Sequence, residues 1–243
     1  MPIEQVNILG VRVHSLTMAE AVEQVETYID EKKVALIATA NAEMLMRTTE
    51  DSELKDILNK ADLVVPDGAG TVWAANHLGH AMPERVAGYD LAQELMKLAP
   101  GKNQKIYFFG SAPGVAEKAK AKAEELYPGI NIAGLRNGFF TEADEPEIIA
   151  DIKRVQPDIL LVALGVPKQE KWLNKYLQEL NVPVAIGVGG TLDVMAGVME
   201  RAPLWMQKAK LEWLFRGLKQ PSRAGRLIAL PKFVLKVMAS KGK

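Results

Sequence analysis

Five short stretches of this 243-residue chain carry side chains that can move protons or hold anions, four of them together with glycine. They are Thr39-Ala40-Asn41, Pro66-Asp67-Gly68-Ala69-Gly70, Gly110-Ser111-Ala112-Pro113-Gly114, the run from Gly165 to Glu170, and Gly187-Val188-Gly189-Gly190-Thr191-Leu192-Asp193. A carboxylate such as Asp67 or Asp193 can take a proton from a hydroxyl within hydrogen-bond reach. Glycine-rich loops at helix amino termini can approach a phosphate and offer it backbone N–H groups. Each stretch also has a plainer reading. Thr39 and Asn41 are good helix caps, Pro-Asp-Gly is a common turn, and Pro167 suits a first helical turn, which makes Gln169 and Glu170 ordinary first-turn residues unless something binds them. Neither Gly110–Gly114 nor Gly187–Gly190 matches the full dinucleotide or Walker pattern.

What the chain lacks narrows the chemistry further. There is no Asp-x-Asp pair of the kind that holds a divalent metal on a nucleotide diphosphate, no Gly-x-Ser-x-Gly elbow and no cysteine. His14, His77 and His80 have no metal-ligand spacing and are expected to be structural or solvated, and Trp172 is expected to pack. No metal or other cofactor is expected. If a diphosphate leaves during the reaction, its charge must then be met by backbone N–H groups, helix termini and guanidinium groups. Arg85, Arg216, Arg223 and Arg226 are the available supply.

Those loops need a scaffold, and the hydropathy pattern supplies one. Short β-branched runs near residues 34–39, 63–65, 105–109, 131–135, 158–164 and 183–188 alternate with amphipathic stretches. That is the pattern of an open, mostly parallel, Rossmann-like α/β sheet with helices on both faces. An amino-terminal β-hairpin, Val6 to Val13 turning at Gly10, precedes a helix from Thr17 to about Lys32, with Thr17 and Glu20 spaced as a capping box. In such sheets ligands sit outside the carboxyl ends of the strands, where the five stretches fall.

The zero net charge conceals a division of the chain. Residues 201–243 hold eleven Lys or Arg and one acid, Glu212, whereas residues 1–200 hold nineteen bases and twenty-nine acids, so a +10 tail follows a −10 body. Trp205, Trp213, Phe215, Leu218 and Phe233 are interleaved with the bases, a mixture suited to an anionic membrane surface. The expected organisation is a catalytic α/β domain over 1–200 and a basic amphipathic helical appendage over 201–243. That appendage is expected to be mobile in solution and to complete the site at the membrane, so that a chain ending near Met199 would still fold. At 48% hydrophobic the chain can bury a full core. No apolar run approaches the roughly 18 to 20 residues of a membrane span. The amino terminus, with Glu4 early and no apolar run behind it, does not read as a signal peptide, and the expected location is the cytoplasm.

Taken together, VALIATAN, LVVPDGAG, RVAGYD, NGFF, DILLVALGVPKQEKW, GVGGTLD, RAP and LEWLFRGLKQPSRAGR resemble the WecG/TagA/CpsF family, glycosyltransferase family 26, over nearly the whole chain. Within it the TagA-type branch is the nearest. The resemblance implies metal-independent, inverting transfer of N-acetylmannosamine from UDP-ManNAc to the 4-hydroxyl of GlcNAc on an undecaprenyl diphosphate carrier, a step of wall teichoic acid linkage-unit synthesis. It implies that Asp67 is the catalytic base with Thr39 and Asn41 beside it, that Arg85, Gln169, Gly187 and Gly189 contact substrate, and that Asp193 lies near the nucleoside ribose. It places Gly138 and Phe139 on the uracil side, and Arg216, Arg223 and Arg226 over the diphosphate. It also implies a peripheral position on the inner face of the cell membrane and a monomer in equilibrium with a homotrimer. Gly217 departs from the family pattern, and a mid-helix glycine costs about 1 kcal/mol relative to alanine.

Other readings remain open at this level. The same fold could use another donor such as UDP-ManNAcA. A +10 tail could attract nucleic acid, although Trp, Leu and Phe at helical spacing are not needed for that. A membrane-surface scaffold built on an old nucleotide fold is a third reading. A Rossmann oxidoreductase fits worse, because the glycine fingerprint after the first strand is missing.

Overall fold

The computed structural model describes residues 3–209, 211–219 and 225–240. Strands β1 (Gln5–Ile8) and β2 (Val11–His14) form the antiparallel hairpin, with Gly10 in its turn at φ 87°. Helix α1 (Met18–Asp30) starts at Thr17, whose side chain and that of Glu20 satisfy each other's backbone N–H groups in the expected capping box.

Six parallel strands follow: β3 (Ala35–Ala40), β4 (Leu63–Pro66), β5 (Lys105–Gly110), β6 (Asn131–Arg136), β7 (Ile159–Ala163) and β8 (Val184–Gly187), in the spatial order β4-β3-β8-β7-β5-β6. Every strand expected from the apolar runs is present within one or two residues. β3, β4, β7 and β8 are buried along their whole length, as continuous apolar runs require when both sheet faces are covered.

Two layers of helix provide that cover. Ile37, Phe108, Leu161 and Ile186 point to one side, against α1, α5 (Gly88–Lys102), α6 (Val115–Leu126) and α9 (Thr191–Met195). Leu36, Tyr107, Leu160 and Ala185 point to the other, against α3 (Ser52–Lys60), α7 (Glu145–Val155) and α8 (Lys168–Leu180). Trp172 packs in this second layer between Phe109 and Tyr176, as expected. The hairpin lies beside the β4 edge, where buried His14 accepts the Val64 N–H through Nδ1 at 3.0 Å, a structural role for that ring.

The basic segment contributes α10 (Leu204–Lys208), α11 (Glu212–Lys219) and α12 (Gly225–Ser240). Helix α12 lies in an apolar groove between α2 (Ala42–Arg47) and α4 (Ala69–His77). Phe233 and Val237 are fully buried there, in one cluster with Ala38, Ala40, Met44 and Ala74. Among the described residues no helix is long and apolar enough to cross a membrane.

Candidate active site

The chain steps outward from β3 to β4 toward one edge and from β5 to β6 toward the other, with β8 and β7 filling the middle. Where connections diverge in this way a crevice forms above the strand ends. Register then fixes which residues meet across it. Thr39 pairs with Val65 and Ala40 with Pro66, so the turn carrying Asn41 runs beside the turn carrying Asp67. The Asp67 N–H donates to Ala40 O at 3.0 Å, and Thr71 Oγ1 lies 2.9 Å from Ala40 O and 3.2 Å from Asp67 O. These bonds bind the β3 and β4 loops into one unit and leave Asp67 half-buried at the crevice.

Thr39 is buried, and its hydroxyl donates to Gly187 O at 2.9 Å, joining the ends of β3 and β8. Asn41 caps α2: its Oδ1 accepts the Met44 N–H at 3.0 Å. The capping reading of Asn41 therefore holds, whereas Thr39 makes a different bond from the one a cap would make.

Gln169 is buried at the start of α8. Its Oε1 accepts the N–H groups of Gly165 and Gly189, each at 3.2 Å, and its Nε2 donates to Glu170 Oε1 at 2.7 Å. A Cβ on Gly187 would fall 2.6 Å from Gln169 Nε2, so this close approach requires glycine.

A second linked group joins the loops after β5, β6 and β8. The Ser111 backbone is left-handed at φ 58°, a conformation costly for a residue other than glycine. Its N–H donates to Ala163 O at 2.9 Å, its carbonyl accepts the Gly138 N–H at 2.8 Å, and its hydroxyl reaches Asp193 Oδ2 at 3.2 Å. Gly138 O lies 3.4 Å from Lys168 Nζ, and the neighbouring Phe139 ring stands 74% exposed at the rim.

Arg85 forms ion pairs with Glu212 of α11, at 2.8 Å, and with Asp90, at 3.6 Å. Arg201 grips both oxygens of Asp90 at 2.7 Å and lies over the Tyr89 ring. Burial works against the Arg201 charge, but the Asp90 carboxylate outweighs it and holds the guanidinium above its ordinary pKa. The one acid of the basic segment thus fastens α11 to the body beside the crevice. Arg223 lies outside the described residues, and so do the side chains of Arg216 and Arg226.

Comparison with known proteins adds the decisive observation. The family model for the glycosyl transferase WecG/TagA/CpsF family matches residues 6–243. The chain belongs to this family. A protein of Bacillus spizizenii (strain ATCC 23059 / NRRL B-14472 / W23) is 36% identical over 212 residues, 87% of this chain and 82% of the relative. A protein of Staphylococcus aureus (strain MW2) is 34% identical over 241 residues, 98% and 94% of the two chains. Both carry the name N-acetylglucosaminyldiphosphoundecaprenol N-acetyl-beta-D-mannosaminyltransferase.

In this family member the structure brings Thr39, Asn41, Asp67, Gln169, Gly187 and Gly189 to the ends of β3, β4, β7 and β8, and Gly138, Phe139 and Asp193 to the side of β5 and β6. Arg85 is at the junction with the basic helices. The sequence offered Ser111 and Glu170 only as loop and first-turn residues, and gave no framework role to Asp90, Arg201 or Glu212. Serine gives no signal for a left-handed backbone. Glu212 carried one, as the lone acid among eleven bases.

Proposed function

We propose that this protein transfers N-acetylmannosamine from UDP-ManNAc to GlcNAc linked through diphosphate to undecaprenol, with β-1,4 linkage and inversion at the anomeric carbon, as in wall teichoic acid linkage-unit synthesis. The observation that carries the proposal is the register of β3 against β4, which sets Asp67 beside Thr39 and Asn41 at the crevice of a chain whose relatives bear the transferase name.

In the proposed step the acceptor 4-hydroxyl attacks the anomeric carbon as Asp67 removes its proton. The carbon–oxygen bond to the diphosphate breaks, and UDP departs with that electron pair. A neutral hydroxyl is a poor nucleophile, so a positioned carboxylate is worth about 10²- to 10⁴-fold. The exposed Phe139 ring offers a stacking surface for uracil. Asp193, reached by the Ser111 hydroxyl, is assigned to the ribose side. Arg216, Arg223 and Arg226 are assigned to the diphosphate, for guanidinium groups can meet phosphate oxygens bidentately. The reaction is proposed to run without a metal, in keeping with the missing Asp-x-Asp pair.

Exposed Leu204, Trp205, Trp213, Leu235 and Met238 on the three basic-segment helices, among Lys and Arg, suit a peripheral position on an anionic leaflet where the lipid acceptor resides. Product analysis with purified enzyme, a soluble lipid-diphosphate GlcNAc analogue and a panel of UDP sugars tests the reading. UDP-ManNAc should give a disaccharide and UDP without added metal. Exclusive use of UDP-ManNAcA would reassign the donor, and no transfer from any UDP sugar would refute the reading.

A further inference from the structure

Gln169 and Glu170 both turn inward from the first turn of α8, and each is 1% exposed. Their neighbours in the helix show why: Trp172, Leu173 and Leu177 face the sheet, and the helix begins directly under the ends of β7 and β8. The Gln169 amide is committed at both ends. Its oxygen takes two backbone N–H groups, from Gly165 after β7 and from Gly189 after β8, while its nitrogen donates to Glu170 Oε1.

An amide can satisfy this arrangement in only one orientation. With oxygen and nitrogen exchanged, an NH2 group would face two N–H donors and leave three groups of one kind without an acceptor, a costly outcome in a buried place. A carboxyl oxygen at the far end accepts from the NH2 and so selects the correct orientation. Gly187 makes room for the pair: a Cβ there would lie 3.1 Å from Glu170 Oε1 as well as 2.6 Å from Gln169 Nε2. Across that same strand end the Gly187 carbonyl is held by Thr39. Glu170 Oε2 is buried and has no hydrogen-bond partner among the described residues, so the Gln169 amide is the one side chain this carboxyl is seen to serve.

We propose that Glu170 is a positioning residue for sugar transfer, acting through Gln169 to hold the loops after β7 and β8 at the spacing the site requires. Its sealed environment agrees with this. Burial pushes the carboxyl up to about 7, against the opposing effects of the Gln169 hydrogen bond and the Arg47 charge. An acid left so poorly solvated needs a compensating function, and orienting the amide provides one that either protonation state can fulfil. The inference rests on the transferase reading, in that transfer is the activity being positioned.

The test combines kinetics with an observation independent of turnover. Glu170→Leu should lower kcat/KM by about tenfold, and Glu170→Gln, whose amide oxygen can still accept from Gln169, should stay within about threefold of wild type. In a Gln169→Ala background, Glu170→Leu should cost almost nothing further, because the residue it acts through is gone. Amide hydrogen exchange at Gly165 and Gly189 should accelerate in Glu170→Leu and not in Glu170→Gln. If Glu170→Leu does not fold, Glu170→Met serves in the same cycle. Independent, multiplying losses from the two positions, unchanged exchange at both glycines, or equal damage from Leu and Gln would each overturn the proposal. A wild-type enzyme without transfer activity would instead count against the transferase reading, and the exchange measurement would still judge the Glu170–Gln169 link.

Discussion

Asp67 follows β4 and Glu170 lies in the first turn of α8, after β7, and their surroundings give these two carboxylic acids opposite characters. Asp67 is half-buried on a backbone fixed by Ala40 and Thr71, and the proposed mechanism has it act on the acceptor hydroxyl. Glu170 is sealed inside, and its ordinary value of 4.5 rises to about 7 through burial. The folded state therefore keeps the Glu170 proton to about pH 7 while the unfolded chain releases it near 4.5. Folding stability should fall as pH rises through that window, by on the order of 3 kcal/mol if the shift is expressed fully. Glu170→Gln has no proton to lose there, so urea denaturation at pH 5 and pH 8 should show a smaller difference for this variant than for wild type. An equal difference would show that other groups set the pH dependence.

At the scale of elements the strands and the first helix were legible, because each signal was local and repeated. Continuous apolar runs mark strands covered on both faces, and Thr17 with Glu20 marks a helix start within four residues. The site was legible as a set of loops for the same reason, since parallel strands gather the residues that follow them. The docking of α12 was not legible. Phe233, read from the sequence as part of a membrane-facing mixture, is instead buried with Val237 in the groove between α2 and α4. Nor could the spacing reveal that Glu212 would meet Arg85, 127 positions earlier in the chain. The packing of α12 has a measurable consequence. Phe233→Ala should destabilise the protein by about 3 to 5 kcal/mol, the usual cost of emptying a buried aromatic site, read as a lower urea midpoint. A change below 0.5 kcal/mol, roughly the surface level, would mean that α12 does not occupy the groove in solution. A chain ending at Met199 loses Phe233 and Val237 together and bares Met44, Ala42 and Ala74, so it should be less stable than the intact protein.

Over the whole molecule the separation of a −10 body from a +10 segment should orient the protein at a charged surface. Vesicles containing anionic lipid should carry it in flotation, neutral vesicles should carry much less, and raising salt from 0.05 M to about 0.5 M should release most of it as the Debye length shrinks. Binding that ignored both lipid charge and salt would remove the electrostatic part of this picture. Orientation at a membrane matters only if the face presented to the lipid-linked acceptor carries out transfer, and in the proposed mechanism that step depends on the carboxylate after β4. The most direct measurement is the rate of sugar transfer by Asp67→Asn beside its affinity for UDP. Turnover should drop by about 10²- to 10⁴-fold while UDP binding stays within a few-fold of wild type; turnover near the wild-type rate would contradict the assignment of Asp67 as the base.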